Sequence, residues 1–161
     1  MNIFVLDNDP EMAAKYHCDK HVVKMILEYA QLMSTAHREL DGPDFADREG
    51  LYKSTHKNHP CAIWTRESSS NYDWLYQLFV ETHHEYSRRY GKIHKTYAKL
   101  APPLAARPIN IPHKAMTPFC LAMPDDCKRP DAVDAYREYY MREKRAIAVW
   151  HKGEYTPWWY R

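Results

Sequence analysis

Between residues 17 and 38 the chain reads HCDKHVVKMILEYAQLMSTAHR. His17, His21, Lys24, Glu28, Gln31, Thr35 and Arg38 follow one another at steps of three or four, so on a helix they form a single stripe. Every member can give or take a proton or a hydrogen bond. Glu28 stands mid-stripe, bordered in sequence by Leu27 and Tyr29 and one turn from Lys24 and Gln31. A glutamate in a partly apolar cleft suits work as an acid, a base or a stabiliser of a cation. The plainer role is an i,i+4 partner for Lys24, worth only a few tenths of a kcal/mol.

His17 and His21 have the spacing at which two helical histidines share a metal. The residues between them lack the glutamate of HExxH, and further ligands would have to come from His56, His59 or Cys61. Lysines beside both groups, Lys20 and Lys57, also disfavour a cation. No metal or cofactor is therefore expected, and a metal-dependent hydrolase or transferase using His17 and His21 stands only as an alternative. The four cysteines include no CxxC pair, and with no export signal in the opening MNIFVLDNDPE they are expected as free thiols.

Two further segments offer contacts to a substrate. Asn58-His59-Pro60 reads as the start of a helix that carries Trp64 one turn on, and such starts present backbone N–H groups to anions. Lys53, His56 and Lys57 lie close by in sequence. Near the end of the chain Trp150, Lys152, Trp158, Trp159, Tyr160 and Arg161 join aromatic faces to positive charge, a mixture that can stack on bases while holding phosphates. The plainer fate of that tail is to fold back as a hydrophobic lid. A P-loop, a dinucleotide fingerprint and a serine nucleophile elbow are all missing, and the chain has only 4 glycines.

These side chains have to be positioned by helices. With 161 residues, 45% of them hydrophobic and 27% charged, the chain is expected to form one domain with a full core. The net charge of +2 is weak evidence for a polyanionic partner, and no apolar run approaches a membrane span. A cytoplasmic protein follows, with a monomer expected. Val22, Met25, Ile26, Tyr29, Leu32, Met33 and Ala36 give the first long helix its core face. Residues 2–6 read as a short strand or an extended arm tucked into the core, and Asp9-Pro10 as N-cap and first position of a helix over 10–16. Asp19 would restart that helix after any kink. Residues 40–50 read as a polar loop, 61–67 as a short helix, and 71–90 as a long one closed by Gly91, with Ser70 and Asp73 as its capping box. A helical piece near 94–100 precedes the proline-rich 101–112, read as an extended connector. Residues 116–123 are expected to form two helical turns, and a helix runs from 131 to about 150. The sum is a compact all-α bundle of about four main helices with long connectors and little sheet.

At this point the residues resemble a family, the pyrimidine-dimer DNA glycosylases of the endonuclease V type found in phages, with their small bacterial relatives. The likeness is carried by Asp19, His21 and Glu28 on a helix behind the N-terminal arm, by Tyr52-Lys53 with Asn58-His59-Pro60, by Arg89-Tyr90-Gly91, and by Pro157-Trp158-Trp159-Tyr160. The NIF…HCDKHVVKM opening is also similar to that of small phage proteins with no assigned role. The resemblance implies an all-α protein that binds damaged double-stranded DNA and attacks the sugar carbon bearing the lesion. It implies an N-terminal α-amine as nucleophile and the helix glutamate, here Glu28, as stabiliser of the cationic sugar and proton carrier. Asn2 follows Met1 where the family exposes a threonine, and Leu27 stands where the family places an arginine.

The expectation is accordingly a DNA N-glycosylase, with or without abasic-site lyase activity. Glu28 is central to it, with His21, Lys24 and the Met1 amine alongside, and with Glu28 activating water as the other route. Lys53, Asn58, His59, Trp64, Lys152, Trp158, Trp159 and Arg161 would hold the substrate. The alternative from another class is a non-catalytic phage module that binds nucleic acid or protein.

Overall fold

The computed structural model describes all 161 residues and is entirely helical apart from its connectors. Seven helices follow one another: α1 (Pro10–Tyr16), α2 (Asp19–Asp41), α3 (Pro43–Arg48), α4 (Pro60–Glu67), α5 (Ser69–Tyr90), α6 (Lys95–Leu104) and α7 (Ala132–Glu143). Beyond the expected about four main helices stand the short α1, α4 and α6, whose positions were read as helical, and α3, which falls in a stretch read as a loop. Pro43 opens α3 inside the supposed polar loop, where its fixed φ suits the first helical turn. No helix is long and apolar enough to cross a membrane.

α2 is the organising element and packs against α3, α4, α5 and α6. Met25, Ile26, Tyr29, Leu32, Met33 and Ala36 are all buried along it, as their period predicts. The N-terminal segment is an arm, not a strand: Ile3, Phe4, Val5 and Leu6 are buried with no ladder partner. The tyrosine hydroxyl of Tyr29, on α2, accepts from the Phe4 N–H at 3.3 Å, so the helix fixes where the chain begins.

The chain breaks at His17–Cys18 before α2 restarts at Asp19, and the break is held by a buried cation. Arg89, near the end of α5, donates to the carbonyls of Lys15 and His17 and to the carboxylates of Asp19 and Glu85. With its side chain 1% exposed and all these acceptors in place, the charge is paired and its donors are used. Gly91 closes α5 at φ 66°, the left-handed position expected of it.

Three expectations on the connectors need correction. α5 is capped by Ser68, whose hydroxyl accepts from the N–H groups of Ser70 and Asn71, while Asp73 pairs with Arg107 instead of closing a box with Ser70. α6 continues through Pro102 and Pro103 to Leu104; in a last turn two prolines remove few ladder bonds, and Leu104 buries completely. Residues 116–123 are extended rather than helical. Neighbouring side chains take their backbone groups: the Thr117 N–H donates to Asn71, the Trp64 indole donates to the Thr117 carbonyl, and Tyr136 donates to the Cys120 carbonyl. α7 is also shorter than expected and ends at Glu143, after which the chain turns back along α1. There the Trp150 indole donates to the Tyr16 carbonyl.

Candidate active site

The stripe on α2 does not stay together. His17 lies in the break ahead of the helix, fully buried, with Nδ1 2.6 Å from the Ala13 carbonyl and Nε2 2.6 Å from the Tyr29 hydroxyl. Both nitrogens are engaged, so His17 has none left for a metal. The reading that pairs His17 with His21 around a metal is corrected on that geometry. Burial holds the His17 imidazole down at about 3.

The middle of the stripe meets the arm. The Met1 α-amine stands 3.3 Å from Glu28 Oε1, and Lys24 Nζ stands 3.6 Å from Glu28 Oε2. The Met1 and Glu28 side chains are 5% and 12% exposed, whereas that of Lys24 is 63% exposed. Two amines thus flank one carboxylate, one from the core side and one from solvent. Around them lies a cleft of about 110 Å³ lined by Met1, Asn2, Phe4, His21, Lys24, Met25, Glu28, Tyr139 and Lys144. Glu28 is the single carboxylate of that lining, paired with the Met1 ammonium and Lys24, and Lys144 lines the same cleft.

Each wall has a reason to be where it is. The amine is aimed by Asn2, whose side-chain amide donates to the Ala122 carbonyl at 2.8 Å, accepts from the Ile3 N–H at 2.8 Å and lies 3.1 Å from the Tyr136 hydroxyl. His21 stacks on Phe4 with ring centroids 4.3 Å apart, and its Nδ1 lies 2.6 Å from the Tyr140 hydroxyl. Burial, and then the nearby His17 and the positive charges of Lys144, Lys24 and Lys20, push His21 down to about 2, so it is neutral at neutral pH. Phe4 also stacks on Tyr139, and the Lys144 ammonium sits 4.8 Å from the Tyr139 ring centre.

Sequence reasoning missed Tyr139 and Lys144. Tyr139 is one of several aromatics on α7, and Lys144 follows the helix; only the turn after Glu143 brings that lysine to the cleft. The period of α7 is the one available signal, since it sets Tyr139 and Tyr140 beside Tyr136 on adjoining faces.

The expected substrate-holding residues are scattered. Trp64 is buried in the core against Trp74 and Phe119, with its indole N–H on the Thr117 carbonyl, and offers no free face. Trp159 is buried against Tyr16 and Tyr140, which is the lid fate, while Trp158 is 70% exposed on the far side of α7 with Arg137 over its ring. His59 caps α4 by accepting from the Cys61 N–H, beside an exposed Asn58. Lys53 is exposed and pairs with Asp47. The Lys152 ammonium lies over Tyr90, and Arg161 is exposed at the end of the chain. None of these eight lines the cleft with Glu28.

What the fold and the cleft define is an all-α protein in which a primary amine faces a largely buried carboxylate. A family model described as pyrimidine dimer DNA glycosylase matches residues 1–98, well over half of the chain, and the chain belongs to that family. The matched span holds the arm, the α2 carboxylate and the Arg89 clamp; Tyr139 and Lys144 lie outside it. No curated protein matches the chain, and no solved structure does.

Proposed function

We propose that this protein is a DNA N-glycosylase with abasic-site lyase activity, in which the Met1 α-amine is the nucleophile and Glu28 the carboxylate that serves it. The observation that carries this reading is the 3.3 Å contact between the two. The neutral amine attacks the sugar C1′, the bond from C1′ to the damaged base breaks, and the base leaves with the electron pair. Ring opening gives an imine between Met1 and C1′, and Glu28 takes the amine's proton and stabilises the cationic sugar. Loss of a C2′ proton then expels the 3′ phosphate. His21, kept neutral by burial, can pass a proton without adding charge. Lys24 and Lys144 stand where they can hold phosphates beside the reacting sugar.

The size of the cleft supports a polymeric substrate. At about 110 Å³ it is smaller than the roughly 300–1,000 Å³ of sites that swallow small molecules. A duplex docked on the rim needs to present only one reacting carbon. The family favours damaged DNA as that substrate, and Trp158, Lys53 and Arg161 are proposed as outlying contacts to it. The protein is proposed to act as a monomer in the cytoplasm.

The test is a duplex carrying a single pyrimidine dimer, or a single abasic site, incubated with the protein in the presence of borohydride. A covalent protein–DNA adduct is expected on both duplexes and not on undamaged DNA, with strand scission when borohydride is omitted. Salt-dependent binding without adduct or scission on either duplex would make the protein a binding module instead.

A further inference from the structure

Behind the arm lies a second reactive pair that plays no part in the reaction above. Cys61, in the first turn of α4, and Cys120, in the extended 113–123 segment, have sulfurs 2.8 Å apart, with the Cys120 thiol donating. They are 59 residues apart in sequence, and Cys61 is fully buried while Cys120 is 8% exposed. Two neighbouring groups tie the pair to the arm: the Cys61 thiol donates to Asn2 Oδ1 at 3.6 Å, and the Tyr136 hydroxyl lies 2.7 Å from the Cys120 carbonyl and 3.1 Å from Asn2 Oδ1. The other cysteines, Cys18 and Cys127, are buried, and neither is paired with another cysteine.

We propose that Cys61 and Cys120 are a dithiol oxidation site that closes to a disulfide under a peroxide and fastens the wall carrying Asn2. The geometry is nearly that of the product, since a disulfide needs its sulfurs at about 2.05 Å and two buried thiols already in contact need little backbone movement. The roles of the two sulfurs differ. The hydrogen bond from Cys120 favours the Cys61 thiolate and draws its pKa down, and that same bond, with burial, pushes Cys120 up. Cys61 is therefore the attacking sulfur and Cys120 the resolving one. The Cys61 thiolate attacks a peroxide oxygen, the O–O bond breaks, and hydroxide leaves to become water, giving a sulfenic acid. The Cys120 sulfur then attacks that of Cys61; the S–O bond breaks and the departing hydroxide takes the thiol proton as a second water. Two thiols and one peroxide become one disulfide and two waters.

The consequence is mechanical. The cross-link joins α4 to the segment whose Ala122 carbonyl holds the Asn2 amide, so both supports of residue 2 become one covalent unit. Closing a loop of this length is expected to raise the Tm by on the order of 10 °C.

The test treats the intact protein with stoichiometric hydrogen peroxide, blocks remaining thiols after denaturation, and maps peptides without reductant. The expected result is one intramolecular link between the peptides of Cys61 and Cys120, with Cys18 and Cys127 blocked as thiols. The Tm should rise and return on adding dithiothreitol. Cys120→Ala should lose the link and leave Cys61 at the sulfenic or sulfinic level. The proposal is overturned if peroxide leaves all four thiols blockable, oxidises Cys61 and Cys120 singly to sulfinic acids in the unmodified protein, or links other pairs. Because mass and Tm are read without DNA, the outcome is separate from that of the glycosylase assay.

Discussion

In the first half of α2, Lys24 and Glu28 face a cleft, where Glu28 pairs with both Lys24 and the amine of Met1. Two to three turns further on, Thr35 and Arg38 continue the same line of side chains, yet they are spent on the chain that follows. Arg38 donates to the carbonyls of Tyr52 and Leu51 and to Asp47, and Thr35 exchanges hydrogen bonds with Thr55. A stripe of polar residues is one pattern in sequence and two devices in the fold. What decides between them is the partner packed opposite: a chain terminus with a free charge on one side, a loop with carbonyls to satisfy on the other.

The contrast can be broken from either end. Glu28→Gln keeps the shape of the cleft and removes its one negative charge. Strand scission and adduct formation should fall by about 10³-fold with the Tm nearly unchanged; an unaltered rate would remove Glu28 from the chemistry. Arg38→Ala should do the reverse, costing about 2–3 kcal/mol of stability in a denaturant titration as the acceptors on residues 51 and 52 lose their partner. Its rate on damaged DNA below the Tm should stay within about twofold, a margin well under the effect of removing one catalytic interaction.

The histidines sharpen the comparison through pH. His17 and His21 sit at about 3 and about 2 in the fold against 6.5 in the unfolded chain, mainly through burial. Below 6.5 the unfolded chain takes up protons that the folded one refuses, so stability falls as the pH drops toward about 3 and then 2. Each histidine adds a slope of up to about 1.4 kcal/mol per pH unit. His17→Asn should remove one share of that slope between pH 6 and 4, read from urea unfolding at several pH values; an unchanged slope would place the proton uptake elsewhere. Lys24→Met gives the smallest change. With its ammonium mostly in solvent, it should lower kcat/KM by about tenfold and reduce the salt dependence of binding by roughly one phosphate contact.

The all-α class, the arm, the core face of α2, the Asp9-Pro10 and His59-Pro60 helix starts and the Gly91 stop were all readable, because each rests on local pattern. That Glu28 looks into a cleft was readable too, from the one carboxylate in the middle of a helix face rich in donors. The rest depends on contacts far apart in sequence. Nothing near Lys144 says that it lines the same cleft as Glu28, 116 residues earlier, and that placement comes from the turn after α7. Trp64 and Trp159 show the opposite failure: an aromatic next to basic residues reads the same whether it stacks on a base or fills a core. The 116–123 segment misled because its backbone partners are the side chains of Trp64, Asn71 and Tyr136, which no local propensity encodes.

The central claim is that the amine beside Glu28 does the chemistry, and two amines qualify by distance, Met1 at 3.3 Å and Lys24 at 3.6 Å. Digesting the borohydride-trapped adduct and locating the DNA-bearing residue by mass spectrometry separates them. The account predicts the adduct on the α-nitrogen of Met1, with Lys24→Met still trapping. An adduct on Lys24, or trapping that survives when the Met1 amine is moved by a short N-terminal extension, would contradict it.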